Sequence, residues 1–120
     1  MLKVLLVDDE KTFRSLARSM VEEEGDFRVI AEASDGSEAV ALTARLGPDL
    51  VLMDVQMNPM NGFEAARHIL DRYPGTRIVL ISMNQGKEYS RLGKEVGVVA
   101  FIPKRELSLS TLRQVCGISA

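Results

Sequence analysis

Five short apolar runs, each followed by a segment of helical periodicity, constrain the fold of this chain more than any other feature of its sequence. The runs are rich in Val, Ile and Leu, and all but the second are continuously apolar rather than alternating. Continuous apolar runs are typical of parallel strands that are covered on both faces. The runs are KVLLV (3–7), FRVIAEA (27–33), DLVLM (49–53), RIVLIS (77–82) and VVAFI (98–102).

The segments after these runs place apolar residues three and four positions apart, as on one face of a helix. Five helices are predicted. The first ends near residue 25, the second spans about 37–46, the third begins at residue 62, the fourth spans about 87–96, and the fifth contains Leu109, Leu112 and Cys116. Five strand–helix units predict a parallel α/β sheet with helices on both sides. The predicted inward residues are Phe13, Leu16, Ala17, Met20, Val21, Ala39, Val40, Thr43, Leu46, Phe63, Ala66, Ile69, Leu70, Tyr89, Leu92, Val96, Leu109, Leu112 and Cys116.

Length and charge narrow the class of protein. We expect residues 1–120 to form one domain, because a chain of this length buries enough surface for a single core. The net charge of −2 gives no general attraction to nucleic acid or to an anionic membrane, so we expect no direct nucleic-acid binding by this chain. No apolar stretch approaches the ~20 residues of a membrane span. The seven residues before the first acids are too few for a signal sequence, so we expect a cytoplasmic location.

The carboxyl ends of the predicted strands carry polar side chains, and ligands bind at that edge in open α/β sheets. The first strand delivers Asp8 and Asp9, the third Asp54, the fourth Ser82, and the fifth Lys104. Three carboxylates, a hydroxyl and an ammonium therefore arrive at one edge from four strands, which predicts a functional site there.

Repulsion among three carboxylates indicates a cation. Two unit charges ~4–5 Å apart cost about 3–4 kcal/mol at an effective dielectric constant of 20. Lys104 supplies one positive charge and a divalent ion supplies two, which together balance the three acids. Oxygen ligands with room left for water favour Mg²⁺ over a Ca²⁺ cage. Mg²⁺ beside carboxylate, lysine and serine also suits phosphoryl transfer, in which a carboxylate could be the nucleophile and form an aspartyl phosphate.

Four segments resemble the receiver domain of bacterial two-component response regulators: LLVDDE (5–10), LVLMDVQMNPMNG (50–62), IVLISMN (78–84) and VVAFIPK (98–104). The resemblance covers nearly the whole chain and is strongest to receivers of LuxR-type regulators. It implies a flavodoxin-like three-layer (βα)5 sandwich with strand order 2-1-3-4-5. It also implies a signalling domain rather than an enzyme, one that catalyses only its own phosphorylation and dephosphorylation.

The resemblance implies roles for the residues that would hold the metal and accept the phosphoryl group. Asp54 would accept a phosphoryl group from a phosphohistidine on a sensor histidine kinase or a phosphotransfer protein. Asp9 would bind Mg²⁺ directly, and Asp8 would do so largely through water. Asp54 and the backbone carbonyl of Gln56 would complete the protein ligands of the ion.

The resemblance also implies how a signal would leave the site. Lys104 would pair with the acids and then with the phosphoryl group, and Ser82 would hydrogen-bond a phosphoryl oxygen. Phe101 would be the aromatic switch that turns inward. The face formed by the fourth helix, fifth strand and fifth helix would meet a partner protein or a second copy in a homodimer. LuxR-type receivers are usually followed by a helix-turn-helix domain, which relates the resemblance to transcription regulation.

Two positions depart from the family pattern. Asn58 stands where family members usually carry proline, with Pro59 next. Because a residue before proline favours extended backbone, we expect the loop after the third strand to take a different path. Lys104 is followed by Arg105 instead of proline, and a cis bond there would cost ~3 kcal/mol or more.

Two other functions share this architecture. A phosphatase of the haloacid-dehalogenase type uses D-x-D after its first strand, which Asp8-Asp9-Glu10 only approaches. Such an enzyme also needs an acidic pair beyond the lysine, where this chain offers only Glu106. A flavodoxin-like binding module needs a phosphate loop rich in Ser, Thr and Gly, whereas DDEKTF is acidic and aromatic residues make up only 5% of the chain.

Overall fold

Strands and helices alternate along the chain. The structure is a computed structural model that describes residues 1–83 and 87–118. Within these ranges, no helix is long and apolar enough to cross a membrane. The strands are β1 (Leu2–Val7), β2 (Phe27–Ala33), β3 (Leu50–Asp54), β4 (Arg77–Ser82) and β5 (Ala100–Pro103). The helices are α1 (Lys11–Val21), α2 (Gly36–Leu46), α3 (Gly62–Arg72), α4 (Lys87–Val96) and α5 (Leu109–Val115), with a 3-10 turn at Lys104–Glu106.

The strands form one parallel sheet in the order β2-β1-β3-β4-β5, which confirms the predicted fold class. Val7 pairs with Met53 across β1 and β3, and Asp54 pairs with Ile81 across β3 and β4. Ser82 pairs with Pro103 across β4 and β5. This register brings the carboxyl ends of four strands level with one another at one edge of the sheet.

The hydrophobic core consists of two layers, one on each face of the sheet. Alternate strand residues point into opposite layers, so Leu6 belongs to one and Leu5 to the other. The first layer packs against α1 and α5 through Ala17, Val21, Leu112 and Cys116. The second packs against α2 and α3 through Ala39, Ala65, Ala66 and Ile69. The three-layer arrangement follows from covering both faces of a continuously apolar sheet.

Two residues predicted to face the core are exposed. Leu16 is 67% exposed, because α1 packs through Ala17 and Val21 and leaves Leu16 at the margin of the apolar face. Leu92 is also exposed, because the buried face of α4 runs through Tyr89, Gly93 and Val96 and leaves Leu92 at its margin. A Cβ atom at Gly93 would lie 3.1 Å from a methyl group of Val98, which follows the helix, so this buried position leaves little room for a side chain.

The start of α3 packs tightly against the end of β3. Asn61 caps α3 by accepting a hydrogen bond from the backbone N–H of Glu64 at 2.9 Å, and the Glu64 side chain accepts one from the N–H of Asn61 at 3.2 Å. A Cβ atom on the next residue, Gly62, would collide with the backbone carbonyl oxygen of Asp54 and lie 2.9 Å from the Cα of Val55. Only glycine therefore allows α3 to begin so close to the strand end that carries Asp54.

The two departures from the family pattern both fall in loops at this edge. The Asn58–Pro59 peptide bond is cis, and it is the only cis bond within residues 1–83 and 87–118. The Lys104–Arg105 bond is therefore trans, and these two residues begin the 3-10 turn that leads from β5 toward α5.

Candidate functional site

The carboxyl edge of the sheet gathers the acidic residues that the sequence placed there. Asp8 is 1% exposed and Asp54 is 3% exposed, whereas Asp9 points toward solvent. One carboxylate oxygen from each of the three lies within 4.8 Å of the others. Ser82 is fully buried at the end of β4, beside the strand that carries Asp54.

Lys104 bridges two of these carboxylates. Its Nζ lies 2.8 Å from Oδ2 of Asp8 and 3.7 Å from Oδ2 of Asp54, and its side chain is only 9% exposed. Burial by itself would lower the pKa of Lys104, but the hydrogen bond with Asp8 and the charge of Asp54 outweigh burial and raise it. The lysine is therefore a firmly protonated ammonium at neutral pH.

Backbone groups fix the orientation of the two buried carboxylates. The N–H of Glu10 donates to Oδ1 of Asp8 at 2.8 Å, and the N–H of Gln56 donates to Oδ1 of Asp54 at 3.2 Å. The Arg14 guanidinium donates to the backbone oxygen of Asp8. Each carboxylate thus has one oxygen held by the backbone and the other facing the lysine.

The surroundings of Asp54 disfavour the ionised form of its carboxyl group. Burial and the nearby charge of Asp8 raise the pKa of Asp54 from 3.8 to about 6, although Lys104 and the Gln56 N–H act in the opposite direction. Three ionised carboxylates and one ammonium leave two negative charges uncompensated. Oxygen donors that close together, with an excess charge of two, fit a hard divalent cation.

The remaining predicted residues lie around this cluster. Gln56 is exposed, with its backbone N–H directed at Asp54. Phe101 is half-buried on β5 and packs edge-to-face against Tyr89 of α4, with ring centroids 6.1 Å apart. Tyr89 in turn contacts Phe63 of α3 edge-to-face at 5.6 Å. Asn84, the last residue of the IVLISMN segment, lies outside the described residues.

Sequence reasoning missed one neighbour of the lysine. Helical periodicity predicts Phe13 only as a core residue of the first helix, yet the Lys104 ammonium lies 4.3 Å from the centroid of its ring. The sequence did contain a signal for this contact, because Phe13 lies in the first turn of the helix after the first strand, and such a turn lies close to the carboxyl end of that strand. Helical periodicity alone does not say which charged residue lies within reach of that turn.

The sequence matches the response regulator receiver domain over residues 4–116. The transcriptional regulatory protein DegU of Brevibacillus brevis is 30% identical over 103 residues, which are 86% of this chain and 44% of that protein. A protein-glutamate methylesterase/protein-glutamine glutaminase of Pyrococcus horikoshii is 36% identical over 110 residues, 91% of this chain and 30% of that protein. The chain thus spans less than half the length of these curated relatives.

Solved structures of response regulators also superpose closely on this chain. A LuxR-family response regulator from Aurantimonas sp. SI85-9A1 superposes with a TM-score of 0.89 at 30% identity, covering 100% of this chain and 89% of that chain. The receiver domain of the response regulator NarL from Mycobacterium tuberculosis superposes with a TM-score of 0.87 at 27% identity, covering 97% of both chains. None of these relatives supports the phosphatase alternative. From its sequence match, its strand order and its structural neighbours, this chain belongs to the response regulator receiver domain family.

Proposed function

We propose that this chain is a phosphoacceptor domain and that Asp54 receives the phosphoryl group from a phosphohistidine on a sensor kinase or a phosphotransfer protein. The observation that carries the proposal is a buried carboxylate at the end of a central strand, 3.7 Å from a buried ammonium and clustered with two further carboxylates. An ionised oxygen in such a position can act as a nucleophile toward phosphorus.

The acidic cluster is the proposed Mg²⁺ site, with Asp9, Asp54 and the backbone carbonyl of Gln56 as direct ligands. Mg²⁺, when bound, supplies the two positive charges that the cluster lacks and screens the nucleophile from the incoming phosphoryl oxygens. Asp8 already accepts a hydrogen bond from the Glu10 N–H and pairs with Lys104, which supports a role for it through water. Asp9 is exposed, and no hydrogen bond or ion pair to another described residue occupies its carboxylate.

In the transfer step, an oxygen of Asp54 forms a bond to phosphorus while the bond from phosphorus to the donor imidazole nitrogen breaks. The imidazole leaves with the electron pair and takes a proton from solvent. Lys104 keeps its charge beside the phosphoryl oxygens, and the Ser82 hydroxyl donates a hydrogen bond to one of them. Preorganised charge of this kind accelerates phosphoryl transfer without any further covalent chemistry by the protein.

The output of phosphorylation is proposed to be a change at the face formed by α4, β5 and α5. The phosphoryl group adds about one negative charge, and a charge-assisted hydrogen bond worth ~1.5–3 kcal/mol shifts a two-state equilibrium ~10- to 150-fold. Movement of Ser82 toward the phosphate frees room for Phe101 to turn inward from its contact with Tyr89. Exposed Leu92 of α4 gives this face apolar area for docking a partner, an output domain or a second copy.

The first prediction concerns the acceptor. Wild-type protein incubated with acetyl phosphate and Mg²⁺ should gain one phosphoryl mass, whereas Asp54→Asn should gain none, because an amide is not a nucleophile of comparable strength. Asp71→Asn, an exposed aspartate of α3, is the matched control and should label like wild type. Intact-mass and peptide mass spectrometry measure the result, and a phosphoryl group on another residue would refute the assignment.

The second prediction concerns the metal ligands. Asp9→Asn should raise the Mg²⁺ concentration for half-maximal labelling at least about tenfold more than Asp8→Asn does, because the direct ligand loses more interaction energy than a ligand acting through water. The measurement is the labelling rate across a Mg²⁺ titration for both variants. An equal or larger shift for Asp8→Asn would contradict the proposed ligand set.

The third prediction follows from the raised pKa of Asp54. Between pH 3.8 and about pH 6, the metal-free folded protein holds a proton that the unfolded chain has released, so Asp54 makes stability fall as pH rises through this window. The free energy of unfolding of Asp54→Asn, measured relative to wild type, should therefore increase by up to ~3 kcal/mol as the pH rises from 4 to 7.5. Urea unfolding in EDTA measures this. Mg²⁺ should diminish the difference; a gain that does not vary with pH would contradict the prediction.

The fourth prediction tests the switch. Beryllofluoride with Mg²⁺ should change hydrogen exchange across α4 and β5 in wild type but not in Asp54→Asn, because only a filled phosphoryl position attracts Ser82 and Lys104. Residues 84–86 belong to the predicted switch region but lie outside the described residues. Changes confined to the loop after β3 would show that this chain does not transmit the signal to that face.

A further inference from the structure

We propose that Phe13 is a positioning residue, which holds the Lys104 ammonium at its place between the carboxylates of Asp8 and Asp54 through a cation–π contact. The inference rests on the proposed phosphoryl transfer and deepens it, because it assigns to α1 a part in placing the cation that meets the phosphoryl group. Phe13 itself touches neither the proposed nucleophile nor the proposed metal ligands in any contact that the structure records.

In the part of the chain that the structure describes, three groups lie close to the ammonium. Its Nζ lies 4.3 Å from the centroid of the Phe13 ring, well inside the ~6 Å range of an attractive cation–π contact. Two carboxylate oxygens complete the surroundings, that of Asp8 at 2.8 Å and that of Asp54 at 3.7 Å. Because the Lys104 side chain is almost entirely buried, little water competes with the ring, which is the condition under which this interaction is strongest.

The ring is held in place by the helix that carries it. Phe13 is partly buried and packs against the core layer beneath α1 and α5. The next residue, Arg14, donates to the backbone oxygen of Asp8 and pairs with Glu32 of β2 at 3.0 Å. The first turn of α1 is thereby tied to the strand end that bears Asp8, so the spacing between ring and carboxylate is set by the fold.

Lysine needs such a support because its charge sits at the end of a flexible four-carbon stem. With carboxylates alone, the shorter ion pair to Asp8 would draw the ammonium away from Asp54. A ring face attracts the charge without accepting a directional hydrogen bond, so the N–H groups remain available to the carboxylates and then to the phosphoryl oxygens. The ring can therefore hold the ammonium in place while leaving it able to follow the transferred group.

A test separates this role from ordinary core packing. Phe13→Leu keeps an apolar side chain but removes the π face, Phe13→Tyr keeps the π face, and Phe27→Leu is the matched control. Phe27 is a buried phenylalanine of the same core layer, and within residues 1–83 and 87–118 no cation lies over its ring. At saturating Mg²⁺, labelling by acetyl phosphate should slow about five- to thirtyfold in Phe13→Leu, whereas Phe13→Tyr and Phe27→Leu should stay within about twofold of wild type.

A second readout does not depend on phosphorylation. The ring current of Phe13 should shift the Cε protons of Lys104 upfield in wild type and Phe13→Tyr, in metal-free protein, and the shift should disappear in Phe13→Leu. Failure of wild type to label would overturn the proposed function, while this NMR shift would still decide whether the contact exists. Unchanged Lys104 resonances in Phe13→Leu, or equal slowing in Phe13→Leu and Phe27→Leu, would overturn the positioning role.

Discussion

Repulsion among three carboxylates at one edge of the sheet is the constraint on which the rest of this site depends. Asp8 and Asp54 are buried within reach of each other, where the cost of like charges is largest because water screens them least. Lys104 offsets part of that cost, yet burial and the charge of Asp8 together still raise the pKa of Asp54. The folded chain thus carries an excess negative charge at the position where a cation would be most strongly bound.

The fold supplies the rigidity that keeps these charges together. Asp54 ends a strand whose residues are all buried, and Gly62 lets α3 begin directly against that strand end. Backbone N–H groups of Glu10 and Gln56 fix one oxygen of each buried carboxylate. A site assembled on strand ends in this way is held by the core, and the loops need only complete it.

The same repulsion underlies the switch that we propose for this site. A group that brings or removes charge at Asp54 changes the charge balance around Ser82, which ends the neighbouring strand β4, and around Lys104, which directly follows β5. Beyond them, Phe101 contacts Tyr89, and Tyr89 contacts Phe63, so β5, α4 and α3 are linked by aromatic packing. In the proposed switch, this packing would carry the effect of about one added charge from the edge of the sheet to α4.

The sequence pattern by itself determined which residues reach the edge of the sheet and that the strands are parallel, whereas the order of the strands followed only from the family resemblance. Continuous apolar runs that stop at Asp8, Asp54 and Ser82 place these side chains at one edge, because parallel strands end there together. Only the tertiary structure decided which of these side chains contact one another, since the distances between elements depend on how whole helices pack. Helical periodicity orients a residue within its own helix, so it could not show that Lys104 lies closer to Asp8 than to Asp54 or that Phe13 lies beside Lys104. For the same reason it placed Leu92 inward, although the buried face of α4 runs through Gly93 and leaves Leu92 exposed.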